Sequence, residues 1–157
     1  MAITVRLAER DELERVNELR KMVNDLHVAG KPDVFRTGFC EELKQYLYHH
    51  YEAESTDVLV AVMDGEICGF AVVTHVAKPG NPMKNALKYC EVEEFGVDES
   101  ARRKGVATAL IEYIKEDASK RGYHKLELNM WEFNTGALAF YEAVGFKTYR
   151  RYMEMEL

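Results

Sequence analysis

The stretch from Val97 to Ala107, Val-Asp-Glu-Ser-Ala-Arg-Arg-Lys-Gly-Val-Ala, constrains the fold more than any other part of the chain. It predicts the end of a strand, a short basic loop and the start of an amphipathic helix. Leu87 to Phe95, before it, are rich in residues suited to a strand. Apolar residues recur at helical spacing after it, namely Val106, Leu110, Ile111 and Ile114. The chain must therefore build a strand–loop–helix unit here.

The residues of this basic loop are suited to binding an anion. A helix begins with unpaired backbone N–H groups, and its dipole favours negative charge at that end. Arg102, Arg103 and Lys104 add three cations, and Gly105 lets a ligand approach the backbone closely. A phosphate or pyrophosphate site fits these features, and a solvated basic surface turn is the alternative interpretation.

The rest of the chain alternates between strand and helix patterns. The predicted strands are Ile3 to Leu7, Val58 to Met63, Ile67 to His75, the strand that ends at Val97, Lys125 to Met130 and Thr148 to Glu156. The first predicted helix begins after Asp11. The other three predicted helices span Phe39 to Tyr51, Lys104 to Arg121 and Thr135 to Val144, and the predicted loops are His27 to Thr37 and Lys78 to Lys84. Asp64-Gly65 predicts a tight hairpin turn. The fold class is therefore α/β, a mixed sheet with helices on both faces.

The composition narrows the class of protein. The chain has 157 residues, 47% hydrophobic and 31% charged, which predicts one globular domain over residues 1–157 without a membrane span. The net charge of −6 argues against nucleic-acid binding. The N-terminus lacks a signal-peptide pattern, and Cys40, Cys68 and Cys90 lack metal-ligand spacing, so we expect a cytoplasmic protein with reduced core thiols. The histidines lack paired ligand spacing, so no metal site is predicted.

Two motifs in this sequence carry a resemblance to a known family. Arg102-x-x-Gly105-x-Ala107, with Val97 upstream, resembles the pyrophosphate-binding signature of the GNAT superfamily of acetyl-CoA-dependent N-acetyltransferases. The segment from Asn134 to Phe146 is similar to the Asn…Ala…Phe-Tyr…Gly-Phe segment that follows the fifth strand of that family. The resemblance implies a GNAT-like acyl-CoA N-acyltransferase fold with a largely antiparallel central sheet, and acetyl-CoA as co-substrate.

The same resemblance assigns cofactor-binding positions. Phe95 and Val97 would bind the pantetheine through their backbones, and Gly96 between them predicts a bulge where the strands separate. The pyrophosphate would lie against the loop and the first helical turn, that is Arg102, Arg103, Lys104, Gly105, Val106, Ala107 and Thr108. Asn134 would bond the pantetheine or nearby backbone, and it also fits the N-cap of its own helix.

Tyr141 is the candidate general acid. In the family, the tyrosine at this position lies near the coenzyme sulfur, so Tyr141 is also assigned to cofactor binding. It shares a predicted helix face with Ala137, Phe140 and Val144, and we expect its ring to be half-buried. A core tyrosine whose hydroxyl bonds a backbone group is the alternative.

The proton acceptor is left open among Glu91, Glu93 and a water chain. Glu91 lies six residues before Val97, the position of a glutamate in histone-type members of the family. Alternation places Glu91 and Glu93 on one strand face, which could equally be a solvated face. Other members carry a glutamate on the fifth strand, where this chain has Asn129, which cannot act as a base.

These expectations combine into a function. The chain is predicted to transfer the acetyl group of acetyl-CoA to a small-molecule or peptide amine by direct attack in a ternary complex. A protein N-terminal or lysine acetyltransferase and a non-catalytic acyl-CoA sensor remain alternatives. His27 to Phe39 should cover the acceptor site, and Trp131 and Phe133 could line it or serve as core or subunit contacts. Alternating Tyr152, Met153, Glu154 and Met155 predict an edge strand that could pair in a homodimer.

Overall fold

A computed structural model describes residues 2–157 and contains a five-stranded sheet in the order β1-β2-β3-β4-β5. The strands are β1 (Ile3–Leu7), β2 (Thr56–Met63), β3 (Glu66–Lys78), β4 (Leu87–Val97) and β5 (Lys125–Leu128). The α-helices are α1 (Leu13–Gly30), α2 (Glu41–Glu52), α3 (Val106–Lys120) and α4 (Thr135–Ala143). Neighbouring strands are antiparallel except β4 and β5, which are parallel because α3 carries the chain across between them. The predicted mixed, largely antiparallel sheet is confirmed.

The two central strands are buried on both sides. Helices α1 and α2 cover Val58, Val60, Phe70 and Val72 on one face of the sheet. Helix α3 covers Leu59, Ala61, Ala71 and Val73 on the other. This arrangement explains why β2 and β3 read as continuous apolar runs rather than as alternating patterns. The prediction of helices on both faces is confirmed.

Local signals placed the hairpin correctly. Asp64 and Gly65 have φ of 54° and 78°, the left-handed values that a tight turn between antiparallel strands requires. They join β2 to β3, as predicted. Both strands extend beyond their predicted bounds, β2 starting at Thr56 and β3 ending at Lys78.

Two glycines, one on β3 and one on β4, allow helices to pack closely against the sheet. A Cβ on Gly69 of β3 would lie 2.8 Å from Val106 Cγ1, so the first turn of α3 rests directly on the sheet. A Cβ on Gly96 of β4 would lie 2.7 Å from Val23 Cγ2, so α1 rests on the opposite face. Gly69 lies beside Val97 in the β3–β4 pairing, next to Phe70 and Gly96. The start of α3 and the middle of α1 therefore meet the sheet at one end of β4.

The bulge in β4 is at Glu93, not at Gly96. Val72 pairs with Glu94 and Val73 pairs with Val92, which leaves Glu93 as the extra residue. Gly96 pairs regularly with Phe70. The bulge prediction at Gly96 is therefore wrong, because the glycine serves the close approach of α1 instead.

Several predicted boundaries also change. Helix α1 runs to Gly30, so His27 lies in its last turn rather than in the loop, and Leu26 is 49% exposed instead of facing the core. The predicted strand from Thr148 to Glu156 is wrong, because the structure has no strand after β5. Its side chains alternate, but no backbone partner lies beside it within residues 2–157.

The cysteine prediction is correct for two of the three residues. Cys68 and Cys90 are buried, and burial raises the pKa of the Cys90 thiol to about 12. Cys40 is exposed at the start of α2, so it is not a core thiol. Across residues 2–157, no helix has both the length and the apolar composition needed to cross a bilayer.

Candidate active site

The parallel pair β4–β5 separates along its length. The two strands pair from Tyr89 with Lys125 to Val92 with Leu128, where β5 ends. β4 continues to Val97 with no strand beside it on that edge in the described part of the chain. An exposed strand edge offers backbone N–H and C=O groups to an extended ligand. Phe95 and Val97, the predicted pantetheine contacts, lie on this free part of β4.

The basic loop leads into an uncapped helix. Gly105 is the N-cap of α3, and its φ of 88° explains the requirement for glycine. No side chain within residues 2–157 caps this end, so the first backbone N–H groups of α3 remain available. Val106 is buried beneath them and Thr108 is exposed. The helix end therefore offers main-chain donors to an anion.

The cations of this loop face solvent. Arg102, Arg103 and Lys104 are all exposed. Arg102 forms a long ion pair, 3.7 Å from Nη1 to Oε1 of Glu99. Neither Arg103 nor Lys104 is within 4 Å of a carboxylate in the described range. The structure thus brings the predicted loop residues, from Arg102 to Thr108, together at one end of α3, with two cations uncompensated.

Helix α4 carries Tyr141 and is held at its start by Asn134. The Asn134 side chain accepts a hydrogen bond from the Ala137 backbone N–H at 3.2 Å, which is the N-cap interaction expected from the sequence. Its side-chain oxygen is therefore engaged in positioning α4. This fixes the direction in which the following turns of the helix point.

Tyr141 packs among three aromatic rings. Its ring centroid lies 6.2 Å from that of Phe95, 5.5 Å from that of Phe140 and 5.6 Å from that of Phe146. The residue is half-buried, and burial raises the pKa of its hydroxyl. Its hydroxyl forms no hydrogen bond to any residue between 2 and 157. The side chain is therefore a protonated phenol with its donor free.

The carboxylates of β4 lie on the other side of the same strand. Glu91 accepts a hydrogen bond from Asn129 Nδ2 at 3.2 Å. Burial and the neighbouring Glu93 carboxylate raise the pKa of Glu91. Glu93 itself is exposed in the bulge. The structure thus places the two candidate bases close together and joins Glu91 to the residue that replaces a glutamate on the fifth strand.

A third glutamate is held by a buried arginine that the sequence analysis missed. Arg20 is 6% exposed and contacts both carboxylate oxygens of Glu94, at 2.7 and 3.0 Å. Arg20 also donates to the Leu43 carbonyl at 2.7 Å, which ties α2 to the pair. The sequence does contain a signal for this ion pair, because Arg20 lies between Leu19 and Val23 on the apolar face of α1.

An aromatic wall lies at the C-terminal end of α1, near the Glu94 carboxylate. We use that name for His27, Phe35, Trp131 and Phe133. The ring centroids of His27 and Phe35 are 5.1 Å apart and stacked, and those of Phe35 and Trp131 are 5.2 Å apart, edge to face. The His27 and Phe133 centroids are 6.3 Å apart. The wall joins the end of α1, the loop after it and the segment between β5 and α4.

One cluster elsewhere has metal-ligand chemistry. Ligand atoms of Asp57, His75 and Asp117 lie within 4.8 Å of one another, which the sequence spacing did not reveal. The Arg121 guanidinium already lies 2.8 Å from Asp117 and 3.4 Å from Asp57. A cation is therefore present between the carboxylates, and the cluster is an ion-pair network at the opposite end of β3 from Gly69.

Sequence comparison provides a family. A model of the Acetyltransferase (GNAT) family matches residues 20–146. An uncharacterized N-acetyltransferase of Methanocaldococcus jannaschii is 42% identical over 90 residues, which cover 56% of this chain and 38% of that protein. The match thus spans well under half the length of that curated relative.

Structure comparison finds the same fold in solved structures. A mutant of the BH1408 protein from Bacillus halodurans is 26% identical, with a TM-score of 0.94 over 98% of this chain and 99% of that one. An aminoglycoside N-acetyltransferase, AAC(6')-Iy, solved in complex with CoA, is 20% identical with a TM-score of 0.76 over 99% and 95% of the two chains. The family match covers both the basic loop and the Tyr141 helix, and the chain therefore belongs to the GNAT family of acetyltransferases.

Proposed function

We propose that this chain transfers the acetyl group of acetyl-CoA to a primary amine by direct attack in a ternary complex. The observation that carries the proposal is the gap beside β4 beyond Val92. Tyr141 approaches this gap by packing on Phe95, whose side chain faces α3. Glu94 and, by alternation, Glu91 point to the opposite face, toward α1. A thioester in the gap would be reached by an acid from one face and by an amine from the other.

The cofactor would lie along β4 and end on α3. Its amides would complete the unpaired edge of β4 from Glu93 to Val97, as an added strand does. Its pyrophosphate would bind the free N–H groups at the start of α3, with Arg103 and Lys104 neutralising charge. Family membership implies acetyl-CoA as the donor, and the AAC(6')-Iy neighbour was solved with CoA.

The reaction requires only two proton movements. The amine nitrogen, as the free base, attacks the thioester carbonyl carbon, and the tetrahedral intermediate breaks its C–S bond. The proton lost by the nitrogen passes to Glu91, directly or through water, and the departing thiolate takes the Tyr141 hydroxyl proton. The products are the N-acetylated amine and CoA with a free thiol, and solvent then restores both side chains.

The pKa directions in the structure suit these roles. The raised pKa of Tyr141 keeps its phenol protonated at neutral pH, as an acid must be. The raised pKa of Glu91 makes its carboxylate a stronger base than an ordinary glutamate. Because Glu91 acts only when ionised, its contribution disappears as the pH falls through that raised pKa. Asn129 supports Glu91 through its hydrogen bond and takes no proton.

The acceptor is more consistent with a small amine than with a protein segment. An extended peptide would need an open groove beside Glu91. The aromatic wall would restrict such a groove, since Phe35 from the loop after α1 contacts Trp131 from the segment before α4. A protein acetyltransferase remains the alternative, and a ribosomal-protein-alanine N-acetyltransferase from Brucella melitensis has the same fold.

The donor site is tested by Gly105→Val. A β-branched residue at a φ of 88° is strained, and its methyl groups would occupy the place of the anion. We expect acetyl-CoA binding to weaken by about 2–4 kcal/mol, measured by calorimetry on protein whose circular dichroism is unchanged. Arg102→Ala is the matched variant and should cost less, since the main chain provides most of the contacts. Unchanged affinity in folded Gly105→Val would rule out this donor site.

Turnover is tested by CoA thiol release from acetyl-CoA in the presence of single amines. The panel contains a simple alkylamine, a ring-bearing alkylamine, an aminoglycoside and a short peptide with a free N-terminus. Release that depends on an amine supports the enzyme. Tight acetyl-CoA binding without release for any of the four classes would favour a sensor instead.

A further inference from the structure

We infer that the acceptor is an amine carried on an aromatic ring or a similar flat apolar group, which packs against the aromatic wall while its nitrogen lies beside Glu91. This inference rests on the proposed function and specifies its substrate class. It follows from the rings that form the wall, from the segment that carries two of them and from the charges nearby.

The wall has apolar surface to offer. Trp131 is 39% exposed and Phe133 is 36% exposed, although each packs on another ring of the wall. A flat apolar group covering these two surfaces would gain both hydrophobic burial and ring-to-ring contact. Solvent covers them in the free chain, which is unfavourable for side chains of this size.

The wall is anchored to the fold on its α1 side. A Cβ built on Gly30 would lie 2.1 Å from Phe133 Cε2, so the phenyl ring rests directly on the backbone of the last turn of α1. Burial lowers the pKa of His27 despite the nearby Glu94 carboxylate, which favours the neutral imidazole. The wall therefore presents a largely apolar surface that rests on the end of α1.

Two rings of the wall belong to the short segment that connects the contacts of the two proposed reacting groups. Asn129, at one end of this segment, bonds Glu91, and Asn134, at the other end, caps the helix that carries Tyr141. Trp131 and Phe133 lie between them in the chain, two residues after Asn129 and one residue before Asn134.

The charges around the wall favour an ammonium head. Glu91 and Glu93 both lie on β4, and burial together with the neighbouring Glu93 carboxylate raises the pKa of Glu91. A protonated amine would be attracted there and would lose its proton before attack. A polyhydroxylated amine would instead need many hydrogen-bond partners, whereas the wall offers only the indole N–H and the imidazole.

The chain contains a built-in reporter for this test. Trp131 is the single tryptophan, so the tryptophan fluorescence of the protein, excited selectively over that of the tyrosines, originates in the wall. We would titrate the full chain, without acetyl-CoA, with 2-phenylethylamine and with propylamine. We expect saturable quenching by the ring amine at a concentration about tenfold or more below that for propylamine, because of the apolar area that the ring buries.

Variants make the assignment specific. Phe133→Ala and Phe35→Ala should remove most of the preference for the ring amine, both in fluorescence and in kcat/KM. Gly30→Ala keeps a helical backbone but displaces the Phe133 ring, and it should reduce the preference in the same direction. Tyr46→Ala removes an exposed aromatic residue on α2 and should leave the preference unchanged.

The two proposals fail in different ways. Equal affinity for the ring amine and propylamine, or full preference in both Phe133→Ala and Gly30→Ala, would overturn this inference. CoA release with alkylamines alone would overturn the inference and leave the proposed function standing. Selective fluorescence quenching without CoA release would support the wall as a ring site and count against catalysis.

Discussion

The part of the chain up to the end of α3 and the part after it differ in how much of the buried core they contain. Every fully buried residue lies between Ala8 and Ala118, whereas residues 119–157 include none. Yet Asn129, Trp131, Phe133, Asn134 and Tyr141 all lie in the second part. The first part contains the core, the uncapped start of α3 and the proposed base Glu91, and the second contains the proposed acid Tyr141 and two rings of the aromatic wall. The proposed acid thus lies where few buried contacts hold the chain, a situation that favours local opening.

The largest effect that this contrast predicts is on the rate. Tyr141→Phe keeps the ring and its three aromatic neighbours but removes the proton. We expect kcat to fall by about 10²–10⁴-fold with acetyl-CoA affinity nearly unchanged. Because the hydroxyl bonds no residue between 2 and 157, the free energy of unfolding should change by less than about 1 kcal/mol.

Steady-state kinetics and urea unfolding of the same preparation check this expectation. Tyr149→Phe is the matched control, since Tyr149 is 65% exposed and bonds Glu127 instead. Full turnover by Tyr141→Phe under conditions where chemistry limits the rate would make the residue structural, and the thiolate proton would then come from water.

The contrast in stability is tested by a pair of leucines. Leu110 on α3 is fully buried, and Leu138 on α4 is half-buried. Leu110→Ala should cost about 2–5 kcal/mol of the free energy of unfolding, because it leaves a cavity in the core. Leu138→Ala should cost less than half of that. Equal losses in urea titrations would show that α4 belongs to the same cooperative core and would break the comparison.

A smaller effect is expected at the turn that connects the sheet to the basic loop. Asp98 accepts hydrogen bonds from the Ser100 backbone and side chain and pairs with Arg15, which lowers its pKa from 3.8 to about 2. A lowered folded-state pKa stabilises the protein above pH 3.8, and this stability is lost as the pH falls from about 4 to about 2. Asp98→Asn should therefore cost about 1–2 kcal/mol at pH 7, after allowance for solvent screening.

The pH dependence of stability distinguishes the loss of the ionised Asp98 contacts from a general destabilisation of the fold. The stability difference between wild type and Asp98→Asn should shrink as the pH falls below 4 in thermal unfolding. Asp25→Asn is the control, because Asp25 pairs with Lys21 on an exposed face and should change stability by less than about 0.5 kcal/mol. A difference that stayed constant down to pH 2 would contradict the assigned role of Asp98.

The smallest effect on stability is expected at the C-terminus. Deleting residues 148–157 removes the exposed Tyr149–Glu127 and Lys31–Glu154 contacts, so it should cost less than about 1 kcal/mol. We predict that the full-length chain forms a homodimer through this segment and that the deletion abolishes it, since Tyr152, Met153 and Met155 are more than 80% exposed on a segment without a strand partner within residues 2–157. Light scattering of both proteins checks this, and a full-length monomer at micromolar concentration would contradict it.

The sequence predicted features governed by local chemistry. The Asp64-Gly65 turn, the Asn134 cap and the basic loop before α3 each depend on a few adjacent residues, and the structure forms the turn, the cap and the helix start. Their conformations follow from positive φ, a side-chain acceptor and an uncapped helix end, which are readable one position at a time.

Features that depend on distant partners were not predictable. The bond between Glu94 and Arg20 joins β4 to α1, and the aromatic wall joins three segments. The final strand was predicted from alternation alone, but a strand forms only beside another, and the alternation of residues 148–156 does not identify one. The bulge was misplaced because a glycine signals either irregular backbone or close approach, and only the packing of Val23 distinguishes them.

The extra residue in β4 shifts the alternation of its side chains between the two faces of the sheet by one position. Val92, before the bulge, faces α3, and the next residue of β4 that faces α3 is Phe95. The two residues are three positions apart, whereas residues on one face of a regular strand are two positions apart. One added residue thus allows acidic side chains to face α1 and apolar ones to face α3 along the full strand. Regular alternation through Glu93, without the bulge, would exchange the sides of everything that follows, turning Phe95 toward α1 and Glu94 into the core. Because Glu93 is the unpaired residue, its deletion would keep Val72 beside Glu94 and Val73 beside Val92, and β4 is therefore expected to tolerate the loss of this one residue without a change of faces.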